Sequence, residues 1–208
     1  FKWRFKNVWQ FFTYINLSVL FQWGVSYHEL AAERVFIGKK KENREGLVSH
    51  STLKQRFFSK GARQLIKDYA IFPLLAGPLF LWVLAGNLVA NLIRNLWTST
   101  IIFCGHFTEE TQTFKQEDCV NETQGQWYYR QVLGSSNIKG SHWFHVLTGH
   151  LSCQIEHHLF PDMPSSRYQE VAPQVQAVLK KHGIDYHTGS FFKQYTSVLK
   201  RIIRYSFK

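Results

Sequence analysis

Gln154, His157 and His158, within Gln154-Ile155-Glu156-His157-His158-Leu159-Phe160-Pro161-Asp162, are the residues of this chain whose types and spacing point to chemistry. One helical turn separates Gln154 from His157, so both can face one point, while His158 projects about 100° around the axis toward a second. Two metal ions could be served from one turn. Imidazole suits iron, zinc and copper alike, so the ligand types leave the metal open. Gln154 can offer a carbonyl oxygen to a metal or bind its water, but it supplies no imidazole nitrogen.

Ten histidines occur, and they are not equivalent. His106 ends the longest apolar run, where an ionisable group is costly unless it has a partner. His142-x-x-His145 has ligand spacing on a helix, but a zinc site needs further ligands, and Cys104, Cys119 and Cys153 offer no recognisable spacing. His142 and His145 are therefore expected at the surface or behind a ligand. His150, one helical turn before Gln154, is placed to hydrogen-bond a ligand or a substrate headgroup. His28, His50, His182 and His187 lie in polar contexts and are expected to be solvated.

The elements that must position these groups are helical. Residues 8 to 27 hold no charge and are long enough for a membrane span. Residues 69 to 103 would make about 52 Å of helix against a hydrocarbon core of about 30 Å, so the expectation is a two-pass hairpin turning near Gly86-Asn87 with residues 8 to 27 in the interface. The alternative makes 8 to 27 a full span and 69 to 103 one long kinked return. Between Gly38 and Lys67 lie nine bases against the two acids Glu42 and Glu45, which marks that loop as cytosolic. Residues 105 to 126 carry five acids against Lys115 alone and read as a polar loop. Val171, Val175, Val178 and Leu179 then repeat at helical spacing up to Gly183. A last helix follows with Phe191, Tyr195, Val198, Leu199 and Ile202 on one face, either interfacial or packed on the rest of the chain. The expected fold is all-α: multi-pass membrane helices with a cytosol-facing histidine-box region over residues 104 to 208. The net charge of +11 fits an anionic membrane face; no recognition helix or RNA-binding motif accompanies it, so nucleic acid is not an expected partner.

Gln154-Ile-Glu-His-His-Leu-Phe-Pro161 resembles the third histidine box of membrane fatty acid desaturases, in the QxxHH form of the front-end subgroup. Gly149-His150-Leu151 before it, and Met163-Pro164, Tyr168, Val171-Ala172-Pro173, Lys181-His182-Gly183 and Tyr186 after it, follow the family's order. The resemblance covers residues 100 to 195 well, and the earlier part only through its hydrophobic layout and Phe21-Gln22-Trp23. It implies two iron ions, with His106, Gln154, His157 and His158 as ligands and His150 behind them. It also implies a fatty acyl chain on coenzyme A or lipid as substrate, O2, and electrons from a ferredoxin or a cytochrome b5 with its reductase, since no nicotinamide, flavin or haem motif is present. The basic loop at residues 38 to 67 is the expected donor docking surface, and a bacterial inner membrane or endoplasmic reticulum the expected location. Gln154, where many desaturases have histidine, favours the front-end subgroup over a stearoyl-type enzyme.

The family's first box, HxxxH, and second, HxxHH, are absent from these 208 residues, so the chain reads as the C-terminal portion of a longer enzyme with an incomplete iron site. Two rivals stay open at this level. A membrane di-iron hydroxylase shares the box logic, and a non-catalytic zinc-binding membrane protein predicts a site that closes within the chain. Trp82, Trp97, Trp127 and Trp143 either line an acyl channel or pack as core and belt residues.

Overall fold

The computed structural model describes residues 3–29 and 50–207. Lys39, Lys40, Lys41, Glu42, Arg44 and Glu45 of the basic segment lie outside the described residues. The chain divides into two compact units, one of residues 15–97 and one of residues 1–14 with 98–208.

In the first unit, apolar residues run down helices α1 (Trp9–Val19, which begins in the other unit) and α2 (Phe21–Glu29). Helix α3 (His50–Ile66) follows; the second half of the expected basic loop is thus a helix, because no glycine or proline interrupts it beyond Gly61. It passes without a break into a π-helical turn, Lys67–Ile71, and then α4 (Phe72–Leu75). Pro73 explains the π turn: it has no N–H to give to the carbonyl four residues back, so the ladder is relaid around it.

A turn at Ala76–Leu79 then reverses the chain. Gly77 sits at φ +55°, a conformation that costs a side-chain-bearing residue energy, and Pro78 opens the next helix where its missing N–H does no harm. Helix α5 (Phe80–His106) runs unbroken for 27 residues. The expected turn near Gly86-Asn87 is therefore corrected. Two passes do not fit within residues 69–103; the chain reverses earlier, at Ala76–Leu79, and the arms of that hairpin are residues 50–75 and 80–106, of which the second alone is a candidate span. Gly86 is tolerated mid-helix because the surrounding Leu, Val, Ile and Ala residues carry the helix through it. Among the described residues, one helix, Gly77–His106, is long and apolar enough to cross a membrane. Its side chains are largely unburied, with Leu81 72 % and Trp82 79 % exposed.

Polar contacts of α5 with the rest of this unit concentrate on one seam. Asn87, Asn91 and Asn95 stand one turn apart on α5. Asn87 Nδ2 donates to the Asp68 carbonyl at 2.6 Å, and Asn91 Nδ2 reaches the Tyr69 hydroxyl at 2.8 Å and Asp68 Oδ2 at 3.3 Å. Asn95 Nδ2 donates to the Val19 carbonyl at 2.8 Å while its Oδ1 accepts from the Gln22 amide. Gln64 Nε2 and Lys67 complete the shell of the buried Asp68 carboxylate.

The second unit is built from short elements. Helix α6 (Gln124–Leu133) opens on a capping box between Thr123 and Gln126. Next come β1 (Asn137–Lys139), α7 (His142–Leu147), α8 (Gln154–Leu159), α9 (Tyr168–Lys181), β2 (Thr188–Ser190) and α10 (Phe191–Phe207). Strands β1 and β2 pair in parallel, Ile138 opposite Gly189, a small exception to the all-α expectation. Helices α9 and α10 lie where periodicity put them, and Gly183 (φ +66°) ends the first. Val132, Ile155, Val175 and Leu179 form the core, with Leu159, Phe160, Val171 and Ile184 packed on it.

Candidate metal centre

Helix α8 has only six residues, too few to hold itself in water, so tertiary contacts must fix its rotation. At about 100° per residue, Gln154, His157 and His158 fall within an arc of about 100°, Ile155 lies to one side and Glu156 points away from them. Ile155 is fully buried in the core. Glu156 is also fully buried, and its carboxylate accepts from Asn137 Nδ2 at 2.7 Å and from the Tyr186 hydroxyl at 2.8 Å. Asn137 Oδ1 in turn accepts the Ile155 amide at 2.8 Å, one of the N–H groups left unpaired at the start of a helix. Gln194 of α10 holds the Asn137 carbonyl at 3.0 Å. Glu156 thus acts as a keel: anchored from β1 and from the segment before β2, it turns the opposite face of α8, with its glutamine and two histidines, toward the end of α5.

His106, the last residue of α5, meets that face. Its ring lies 4.9 Å from the ring of His158, and the His157 and His158 rings are 5.7 Å apart. The neighbouring backbone is cut to fit: a Cβ on Gly105 would stand 2.9 Å from Gln154 Cγ and 3.1 Å from Gln154 Oε1. Gln154 is buried, and its Oε1 has no hydrogen-bond partner. A buried amide oxygen without a partner costs on the order of 1–3 kcal/mol, which a cation or its water would relieve.

Each box histidine is held through one nitrogen. His158 Nδ1 donates to Gln131 Oε1 of α6 at 2.9 Å, leaving Nε2 as a lone-pair donor. His157 Nδ1 pairs with the hydroxyl of the buried Tyr168 at 3.1 Å. Burial first, then the neighbouring His106 and His157, push His158 down to about 4, so at neutral pH its ring is the uncharged form that ligates metal. Partners of this kind set ring orientation and ligand basicity in metal sites. The donors therefore fit a metal ion in type, tautomer and unsatisfied oxygen. Among the described residues, no group of three or more His, Cys, Asp or Glu side chains forms a complete metal cluster.

His150 is not placed as its spacing suggested. Gly149 and His150 both take positive φ, +59° and +61°, so no helix connects His150 to Gln154. Its Nδ1 lies 3.4 Å from Gln169 Nε2 of α9. His142 is exposed; His145 is half-buried, with Nε2 donating to the Gly140 carbonyl and Nδ1 facing Ser152 Oγ at 2.7 Å. His187 is not solvated as expected, for it lies beside Glu110 at 3.8 Å with its side chain 16 % exposed. The cysteines are free, and burial raises the Cys153 thiol to about 12, which keeps it protonated. Trp127 borders a groove of about 740 Å³ with Leu159, Phe160 and Met163, whereas Trp82 and Trp143 face outward.

Gln131, Tyr168, Asn137, Glu156 and Tyr186 are the residues that sequence reasoning did not single out for the site. Tyr168 and Tyr186 stood in the resemblance as pattern only. The one local signal was the position of Glu156 on α8, opposite the ligand face.

The family profile described as fatty acid desaturase matches residues 1–190. The NADPH-dependent stearoyl-CoA 9-desaturase of Mycobacterium tuberculosis is 36% identical over 209 aligned positions, covering 99% of this chain and 48% of that protein. The acyl-lipid 8-desaturase of Rebecca salina is 34% identical over 64% of the chain and 29% of its own length. The delta(8)-fatty-acid desaturase of Borago officinalis is 37% identical over 36% of the chain and 17% of its own length. The chain thus spans about half the length of the mycobacterial relative, and less of the others. No solved structure matches. With a family match over most of its length, the chain belongs to the fatty acid desaturase family.

Proposed function

We propose that the enzyme of which this chain supplies the third histidine box introduces a double bond into a fatty acyl chain at a pair of iron ions. His106, Gln154, His157 and His158 are its ligands in this chain. The observation that carries this is the buried, unpartnered Gln154 Oε1 beside the His106–His158 pair. When bound, iron supplies the oxygen-activating chemistry that an unactivated C–H bond requires and that no side-chain acid or base provides.

The chain's own residues position and tune. Gln131 and Tyr168 hold the Nδ1 atoms of His158 and His157, so their Nε2 atoms face outward from α8. Glu156, Asn137 and Tyr186 fix the rotation of the helix that presents them. Electrons come from a separate ferredoxin or cytochrome b5 with its reductase, and the NADPH dependence named for the mycobacterial relative is consistent with such a chain. The protein is an integral membrane enzyme with its box on the cytosolic face, supported by the apolar helix Gly77–His106 and the basic residues of the 38–67 segment.

Two readings of substrate have separate support. The QxxHH form favours front-end desaturation of an already unsaturated chain, as in linoleoyl-CoA. The match along the whole chain to a stearoyl-CoA 9-desaturase favours a saturated acyl-CoA. Product analysis by mass spectrometry with the full-length protein separates them. A new double bond on the carboxyl side of an existing one supports the first, and a 9-position bond in stearoyl-CoA supports the second. A hydroxylated product, or zinc in place of iron, would overturn the desaturase proposal.

A further inference from the structure

Residues 50–67 contain Lys54, Arg56, Lys60, Arg63 and Lys67 and no acid. Arg56, Lys60, Arg63 and Lys67 stand at i, i+4, i+7 and i+11, which confines them to an arc of about 60° on one side of α3. All four are exposed, and they border an open groove of about 820 Å³ edged by the hydroxyls of Thr52 and Ser59. Lys67 is engaged by Asp68 at 3.2 Å and lies over the Phe72 ring. Helix α10 carries bases as well. Its Lys193 and Arg204 pair with Glu110 and Glu109, and its Arg201 donates to the Thr108 and Thr111 carbonyls.

The opposite side of α3 is apolar and also outward-facing. Phe58 and Leu65, two turns apart, are 58 % and 48 % exposed. Between them Gly61 admits the Trp23 ring, which a Cβ there would approach to 3.3 Å. The arm then continues into Ile71, Phe72, Leu74 and Leu75, each 45 % exposed or more. A soluble acidic partner would neutralise the cations and leave Phe58 and Leu65 in water. A bilayer interface accommodates both, with the apolar side at the acyl boundary and the long cationic side chains among phosphates.

We propose that α3 lies in the membrane interface and binds anionic phospholipid headgroups through Arg56, Lys60 and Arg63. The stripe that sequence reasoning assigned to an electron donor is on this basis a lipid site. The test uses the full-length protein, stripped of lipid in neutral detergent and offered phosphatidylglycerol or phosphatidylcholine of matched chains, with retained lipid counted by native mass spectrometry. Each cation near an anionic surface is worth about a fivefold preference. Wild type should therefore retain phosphatidylglycerol at least about fivefold over phosphatidylcholine. The preference should fall to parity in the triple variant Arg56→Gln, Lys60→Gln, Arg63→Gln and persist in Arg56→Lys, Arg63→Lys. Glutamine is as good a helix former as these bases, so unchanged circular dichroism and iron content confirm that the triple variant is intact. Equal retention of both lipids by wild type would overturn the proposal, as would a preference that survives the triple variant. Loss of acidic donor binding in that variant with lipid preference intact would hand the stripe to a soluble partner.

Discussion

The two units use polar side chains in opposite ways. In the hairpin, the apolar residues of α5 face outward while its Asn87, Asn91 and Asn95 gather with Asp68 on one seam. In the histidine-box unit, Glu156, Gln154, Asn137 and Gln194 are themselves buried and the elements between them are short. The hairpin gets its shape from two long helices whose backbone bonds are satisfied within each arm. The box unit gets its shape from side-chain hydrogen bonds between segments far apart in the sequence, 58 residues between Gln194 and Ser136 and 93 between Arg201 and Thr108. Polar substitutions should consequently be graded: severe in the box unit, mild in the hairpin.

The largest effect is expected at the keel. Glu156→Ala leaves Asn137 and Tyr186 facing an empty buried site, and should destabilise the box unit by about 3 kcal/mol, the upper range for a hydrogen bond to a charged group. Denaturant unfolding of the full-length protein measures this; a loss below a third of that value would remove Glu156 from its anchoring role. Gly105→Ala comes next. Its methyl would press on Gln154, so a cost of about 1–3 kcal/mol is expected together with lowered iron content. In the hairpin, Asn91→Leu should cost only about 0.6 kcal/mol, the mean for interhelical hydrogen bonds in a bilayer. A cost equal to that of Glu156→Ala would erase the contrast.

The smallest effect concerns acid. Hydrogen bonding to Arg130 holds the Glu122 carboxyl below its ordinary range. A depressed carboxyl contributes stability above its unfolded pKa of about 4.3 and loses it as pH falls through the folded value. Glu122→Gln should therefore lower stability at neutral pH by the small amount such a pair carries, and its curve should converge on that of wild type as pH falls below about 4.3, which flattens its acid limb. Identical acid limbs would show that this pair carries no such role.

What the sequence made legible depended on distance along the chain. Gln154, His157 and His158 share one turn, so residue type and spacing disclosed them. The partners that aim them do not: Gln131 lies 27 residues from His158, and Tyr186 lies 30 from Glu156. No periodicity links such pairs. Three-residue strands such as β1 and β2 are likewise too short to show alternation. The hairpin turn was misplaced because Gly86-Asn87 has turn composition, yet the Gly77-Pro78 pair combines positive φ with a proline helix start and prevails. Once Asn87 is placed inside α5, its spacing to Asn91 and Asn95 shows the seam, a pattern that was in the sequence all along.

Sidedness can be tested through α3. A cysteine replacing the exposed Gln55, in a background lacking the native cysteines, should resist an impermeant thiol reagent in intact cells and react after permeabilisation. Labelling in sealed cells would place α3 on the outer side.

The most direct test of the central claim is the iron content of the purified full-length enzyme, with His106→Ala, His157→Ala and His158→Ala variants measured beside it. The expected result is about two irons per wild-type chain, as one turn of α8 serving two ions implies. Each variant should bind less iron and keep under about a tenth of wild-type desaturation, since the lost ligand cannot be replaced within the site. Full iron occupancy and activity in the His157 or His158 variant would contradict the assignment of these side chains as ligands.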